Sequence, residues 1–309
     1  MRIFAGKFPA IANRVKKKSQ RLKLGMYHKI PAINAVRDRT YHQALSKHAE
    51  SLPLLDSQSE SILGQLRREG TCIIPIKALG FASSEIMLKE ALALADKLKF
   101  RSLGTQKNRI SELGSRAEDL QEFPQLLLWA LEPKLLNIAE HCIGLPPLYQ
   151  SIDIRRSAAD GQQTGIRNWH LDCEDRRLLK IIIYLNDVAT GDGPYEYISR
   201  SLTSKAIKKL NYYNLGNISE DEMRTAIPKS NWTSCLEKQG NAIFTDTANV
   251  FHRIQPPINK ERFSITYCYT STRPQVQLGT DKLSTRQREL IAKNTNLRQQ
   301  RCLPKQWRC

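Results

Sequence analysis

The chain has 309 residues, 40% of them apolar, and a formal net charge of +18; that length suits one large domain or two modest ones, and that apolar content can fill a sizeable core. The longest apolar runs, Gln125 to Leu131 and Ile181 to Leu185, fall far short of the roughly 20 residues that span a bilayer, which excludes a helical membrane protein. The charge lies at the ends: residues 1 to 37 hold ten Lys or Arg and no acid, and residues 282 to 309 hold eight against Glu289 alone, together 17 of the 18 excess charges, so the nearly neutral middle requires no nucleic-acid groove.

Residues 1 to 49 form a basic segment with few apolar residues at regular spacing, expected to be mobile or weakly helical. Lys7 and Pro9 interrupt the apolar stretch a secretion signal needs. Seven scattered cysteines with no C-x-x-C spacing suit reduced thiols, so a cytoplasmic protein is expected. Ser57 to Arg68 reads as a helix, with Ser57 three residues before Glu60 in the spacing of a capping box and Gly70 after its end. Thr71 to Ile76 is a short strand. Ser83 to Lys97 carries Ile86, Met87, Ala91, Leu92 and Ala95 at helical spacing. Gly104 to Ala117 is polar and reads as a loop. Pro124 to Ala130 and Pro133 to Cys142 read as two helices, each opened by a proline in its first turn. Leu148 to Arg156 alternates and is a strand. Ala158 to Gly165 is a loop that either closes over a substrate or simply joins two strands.

The chemistry turns on Asn168-Trp169-His170-Leu171-Asp172. In an extended strand, residues two apart point to the same face, so His170 and Asp172 aim at one point. A second imidazole, His252 far downstream, completes the two-His-one-carboxylate arrangement that holds ferrous iron on three positions and leaves three open. Chance or core packing also produces an isolated H-x-D, so the order of the downstream elements matters. A charged loop from Glu174 to Arg177 leads to a buried strand, Leu178 to Val188, and then to the turn Thr190-Gly191-Asp192-Gly193-Pro194. Ser201 to Asn211 and Ile218 to Ala226 read as short helices of an insertion, either shaping a pocket or forming a surface excursion. Gly240 to Thr247 is a strand, Phe251-His252-Arg253 comes next, and Glu261 to Tyr267 opens another strand.

As an ordered set, W-H-x-D, strand, G-P turn, G-N/D strand, then His and Arg, residues 148 to 270 resemble the phytanoyl-CoA dioxygenase-like family of iron(II)- and 2-oxoglutarate-dependent oxygenases. The resemblance implies a double-stranded β-helix, the jelly roll of cupin-like proteins, flanked by N-terminal helices; the pattern by itself says mixed α and β, with short strands in a sandwich or barrel. It implies that His170, Asp172 and His252 ligate iron, that Arg262 binds the distal carboxylate of 2-oxoglutarate, that Ser264 on the same strand face assists, and that Tyr184 and Gln150 are further co-substrate contacts. Ile198-Ser199-Arg200-Ser201 departs from the P-G-S-H segment common among relatives. Iron(II), 2-oxoglutarate and O2 are the implied cofactors, with succinate and CO2 released and a C–H bond of a small or carrier-linked substrate oxidised, most simply by hydroxylation. Because Asp172 keeps the carboxylate that halogenating relatives replace, the site is expected to be closed to halide.

The expected organisation is a basic N-terminal segment, 1–49, an oxygenase domain with helical cover, 50–275, and a basic C-terminal tail or helix, 276–309. The tails are either solvated, self-repelling termini or a means of docking on an acidic carrier protein or anionic membrane surface. Two rival classes are a metal-binding jelly roll without turnover and a basic nucleic-acid-binding protein; the latter lacks aromatic residues interleaved with basic strands.

Overall fold

In the computed structural model, residues 31–104, 110–212, 216–276 and 283–308 are described. Most of the strongly basic N-terminal segment, residues 1–30, lies outside them. The remainder of that segment forms helix α1, Pro31–Ala49, largely exposed and held by polar contacts: His48 meets Glu140 at 2.8 Å, Asp38 pairs with Arg176, and the Arg176 guanidinium sits 4.8 Å from the centre of the Tyr41 ring.

Helix α2, Ser57–Glu69, starts one residue earlier in its capping than the S-x-x-E spacing suggests. Asp56 is the N-cap and its carboxylate accepts the Ser59 amide at 2.7 Å. The helix ends at Gly70, with φ +83°, where a Cβ would also stand 2.2 Å from Val250 Cγ1, so glycine is required twice over. Strand β1, Thr71–Pro75, comes next, then α3, Ser83–Lys99, a short strand β2, Glu112–Gly114, within the segment read as loop, and α4, Pro124–Leu128, continued by a 3-10 turn over Trp129–Leu131. Helix α5, Pro133–Ile143, begins at its proline and ends at the left-handed Gly144.

The β core is β3, Pro147–Ser157; β4, Leu179–Tyr184; β5, Tyr195–Ile198; β6, Trp232–Ser234; β7, Asn241–Thr245; β8, His252–Ile254; and β9, Arg262–Ser271. Its first sheet has the order β1-β7-β4-β9-β3-β2, and its second β6-β5-β8, to which Trp169 and His170 add isolated antiparallel bridges. From β3 onward the chain alternates between the sheets, β3 to the His170 segment, to β4, to β5 and β6, to β7, to β8, to β9, and all neighbours run antiparallel. That winding is a double-stranded β-helix. Helices cover the outer face of the first sheet; α6, Arg200–Lys209, and α7, Glu220–Ala226, cover the second.

Period-two alternation divides the first sheet. Leu179, Ile181 and Ile183 of β4, with Phe263, Ile265, Tyr267 and Tyr269 of β9, face the helices and join the largest apolar cluster. Lys180, Ile182 and Tyr184, with Arg262, Ser264, Thr266 and Cys268, therefore face the space between the sheets. Strand β3 reaches the same phase only through a bulge, since Tyr149 pairs with Tyr269 but Ser151 with Cys268, leaving Gln150 as the extra residue.

The C-terminal segment is not free. Beyond α8, Thr285–Lys293, and α9, Leu297–Arg301, the residues Cys302, Leu303 and Trp307 join the main core, and the Trp307 ring meets Tyr149 edge-on at 5.5 Å. No helix among the described residues is long and apolar enough to cross a membrane.

Candidate metal centre and the cavity around it

His170 and His252 lie opposite each other across a backbone bridge, each amide donating to the other's carbonyl at 3.1 Å, and their rings are 4.3 Å apart. The Asp172 amide is fixed on Thr247 O at 2.9 Å. His170 Nδ1 donates to Asn168 O at 2.8 Å and His252 Nδ1 to Val250 O at 3.1 Å. A carbonyl can only accept, so both imidazoles carry their proton on Nδ1 and turn an Nε2 lone pair inward, the tautomer a metal ligand requires. Asp172 Oδ1 lies 3.9 Å from His170 Nε2, and Oδ2 lies 3.6 Å from His252 Nε2. The donor atoms of the three residues all lie within 4.8 Å of one another, a separation that suits joint ligation of one ion.

Electrostatics keeps this donor set deprotonated. Burial, then the neighbouring His170, lowers His252 to about 3, and burial lowers His170 as well. Burial alone would raise the Asp172 carboxyl, but the Lys180 ammonium outweighs it and holds it well below the usual carboxylate range. Lys180 Nζ donates to Asp172 Oδ2 at 2.5 Å.

Behind the centre, Arg253 ties the two histidine-bearing segments together. Its guanidinium stands 4.8 Å from the ring centre of Trp169, next to His170, and 5.2 Å from that of Trp232; Nε donates to Glu196 at 2.7 Å and Nη1 to Glu220 at 2.8 Å. Tyr195 lies over His252, ring centres 5.7 Å apart, with its hydroxyl 2.9 Å from Thr245 Oγ1.

The three residues open on a cavity of about 440 Å³ lined also by Arg262, Ser264, Asp153, Arg155 and Lys180. Arg262 is 2% exposed. Its Nη2 donates to Ser157 Oγ at 3.1 Å, whereas its buried Nε and Nη1 have no hydrogen-bond partner. Burial lowers its pKa. Buried donors left unmade cost about 1–3 kcal/mol each, and an anionic group from a ligand would satisfy one of them.

The other expected contacts fall differently. Tyr184 stands beside Arg262, the guanidinium 6.0 Å from its ring centre, but its hydroxyl donates to Cys235 O at 3.1 Å and accepts the Tyr195 amide at 2.8 Å. Gln150, the bulge residue, is buried with its amide oxygen accepting from Thr270 at 2.8 Å, and is not among the residues lining the cavity. Its strand instead contributes Ser151, Asp153 and Arg155. Sequence reasoning missed these and Lys180; a lysine inside the apolar run of β4 was the readable signal for the latter.

A second opening of about 830 Å³, sharing Arg155, Gly165 and Ile166 with the first, is lined by Ser111, Glu112, Asp160, Gln162 and Thr164 among others. The loop 158–165 beside it is fastened by the fully buried Arg167, which donates to Glu112, to Asp160 and to the carbonyls of Ser111, Ala158 and Gln162. Those bonds make it a fixed wall. From the insertion, Asn217 reaches the cavity while Ile218 bridges Trp169.

No protein-family model matches the chain, and no curated protein matches it. Solved structures do. HygX from Streptomyces hygroscopicus with nickel and 2-oxoglutarate bound is 15% identical over 71% of this chain and 88% of that one, with a TM-score of 0.47. EctD from S. alaskensis with 2-oxoglutarate and 5-hydroxyectoine is 18% identical over 70% and 76%, TM-score 0.48. The epimerase SnoN from nogalamycin biosynthesis is 14% identical over 71% and 86%, TM-score 0.45. At these identities the likeness is one of chain path.

Proposed function

We propose that the chain is an iron(II)- and 2-oxoglutarate-dependent oxygenase of the phytanoyl-CoA dioxygenase-like kind, which hydroxylates a C–H bond of a small, polar substrate and releases succinate and CO2. The observation that carries this reading is the opening of two unfinished features on one cavity: a His-Asp-His donor set with both Nε2 lone pairs turned inward, and a buried arginine with Nε and Nη1 unmade. Two imidazoles and one carboxylate suit ferrous iron and leave coordination positions open. The residues therefore fit the group.

His170, Asp172 and His252 would hold the iron, which when bound supplies the activation of O2 that couples oxidative decarboxylation of the 2-oxo acid to oxidation of the C–H bond. Arg262 takes the carboxylate remote from the oxo group in a charge-assisted hydrogen bond from an unmade guanidinium N–H, and Ser264, which faces the same cavity, adds a hydroxyl. Ile182, Ile254 and Tyr195 wall the cavity near the ligands and exclude water from the reacting face. Backbone bonds and the Trp169–Arg253–Trp232 stack hold the imidazoles in place. The second opening, with Glu112, Asp160, Arg155 and several hydroxyl and amide groups, supports a polar substrate, since an apolar one would strip water from these groups without replacing it. The ten Lys or Arg without an acid in residues 1–37 support docking on an acidic carrier protein or an anionic membrane surface.

Oxygen- and iron-dependent formation of succinate from 2-oxoglutarate tests the activity, with His252→Ala as the control. Metal binding without succinate formation under any candidate substrate leaves a binding jelly roll and overturns it.

A further inference from the structure

We propose that Lys180 is a positioning residue that makes divalent-metal binding and dianion binding depend on each other; the inference rests on the metal and co-substrate assignments above. Lys180 is the only charged residue of β4, and alternation along that strand turns it into the cavity. Its ammonium lodges against the ligand carboxylate, 2.5 Å from Asp172 Oδ2, and this same oxygen is the one 3.6 Å from His252 Nε2. Glu174, 5% exposed, is a further charged neighbour.

Six charged side chains line the cavity: Asp153, Asp172 and Glu174 against Arg155, Lys180 and Arg262. With both imidazoles neutral, these charges cancel before anything binds. A dication alone therefore enters a cavity with no surplus negative charge, and it must share Asp172 with an ammonium ion already in place. Like charges on one carboxylate in a water-poor cavity repel strongly. A dianion arriving with the dication restores the cancellation, and an unmade N–H of Arg262 offers it a hydrogen bond. Metal and dianion each strengthen the other, by the same factor in both directions. Removing the Lys180 charge while keeping the chain volume makes Asp172 and Glu174 a net negative seat for the metal. The dication then binds well on its own, and the coupling shrinks.

The test is calorimetric titration of the metal-stripped, full-length protein with Co2+, in oxygen-free buffer, with and without saturating 2-oxoglutarate, for wild type, Lys180→Met and Lys180→Arg. Wild type is expected to bind Co2+ at least tenfold more tightly with 2-oxoglutarate present. Lys180→Met binds Co2+ alone at least tenfold more tightly than wild type and gains less from 2-oxoglutarate, whereas Lys180→Arg, which keeps the charge, behaves as wild type. The Co2+ absorption spectrum provides a second readout, changed in Lys180→Met as the freed carboxylate oxygen becomes available to the metal. Lys180→Gln, which keeps a donor for Asp172 but no charge, gives the same comparison where the methionine variant does not fold. Co2+ binding by the folded charge-free variant no tighter than wild type, with the coupling unchanged, overturns the role of Lys180 alone. Wild-type Co2+ binding that His252→Ala leaves intact overturns the metal assignment and this inference with it.

Discussion

Arg262→Met separates the two things this arginine does to the protein. In the ligand-free state its guanidinium is buried with Nε and Nη1 unmade and only Nη2 bonded, to Ser157. Unmade buried donors cost about 1–3 kcal/mol each, more when charged, and methionine fills a similar volume with no polar atom. The variant is therefore expected to unfold at or above the wild-type temperature without ligand, an unusual outcome for a buried substitution. Its affinity for 2-oxoglutarate tells the other side. Truncating one partner of a buried charge pair costs roughly 2–5 kcal/mol, which at about 1.4 kcal/mol per factor of ten is a loss of roughly 30- to 4,000-fold. Calorimetry on Co2+-loaded protein measures that loss, and thermal unfolding of the metal-free protein measures the stability. Co2+-loaded wild type should also be raised in unfolding temperature by 2-oxoglutarate, with a stabilisation that grows as RT ln(1 + L/Kd) at free concentration L, and Arg262→Met much less at the same concentration. A variant that is less stable than wild type yet binds 2-oxoglutarate equally well would show that Arg262 is a structural residue and that the carboxylate seat lies elsewhere.

His252→Ala should abolish stoichiometric Co2+ binding with little loss of fold, measured by calorimetry and circular dichroism, because its backbone bridge to His170 is retained. Gly70→Ala places a methyl 2.2 Å from Val250 Cγ1 at a φ of +83°, and should cost about 1–3 kcal/mol in denaturant unfolding while leaving Co2+ affinity unchanged. Burial raises the Glu220 carboxyl, but its bonds to Arg253 and Arg224 outweigh that and lower it from 4.5 to about 2; a lowered acid stabilises the fold fully above its ordinary value and less as pH falls toward 2. Denaturant unfolding of wild type against Glu220→Gln should thus differ by about 1–2 kcal/mol above pH 4.5, with screening allowed for, and converge as pH falls; a pH-independent difference would sink the assignment of that bond network. Deleting residues 1–30 should leave iron-dependent succinate formation intact and reduce activity on a carrier-bound substrate at low salt, with equal activity at both salt levels returning the segment to a solvated tail.

The parts of this fold that read clearly in the sequence are those set by local pattern. The apolar run at Leu178 to Val188, the Gly70 and Pro133 boundaries, and the His-x-Asp spacing each depend on neighbours within a few residues, and each reappears in the structure. His170 and Asp172 do share a point of aim, although the segment forms only isolated bridges and no regular strand. The features hidden from the sequence were set at long range. The bulge at Gln150 comes from its pairing with β9, more than a hundred residues on, and it alone decides that Asp153 and Arg155 face the cavity. Asp56 and Ser57 are both good caps, and the backbone entering the helix selected the aspartate. The C-terminal segment reads as a basic tail or helix because its arginines dominate the count, and the burial of Leu303 and Trp307 in the main core, with Trp307 against Tyr149, is what that count hides.

The most direct measurement is a crystal structure of the protein with Fe2+ and 2-oxoglutarate introduced under anaerobic conditions. The expected result is one metal ion on His170 Nε2, His252 Nε2 and a single oxygen of Asp172, with the remote carboxylate of 2-oxoglutarate hydrogen-bonded to the Arg262 guanidinium. A metal bound elsewhere, or a co-substrate carboxylate that makes no bond to that guanidinium, would contradict it.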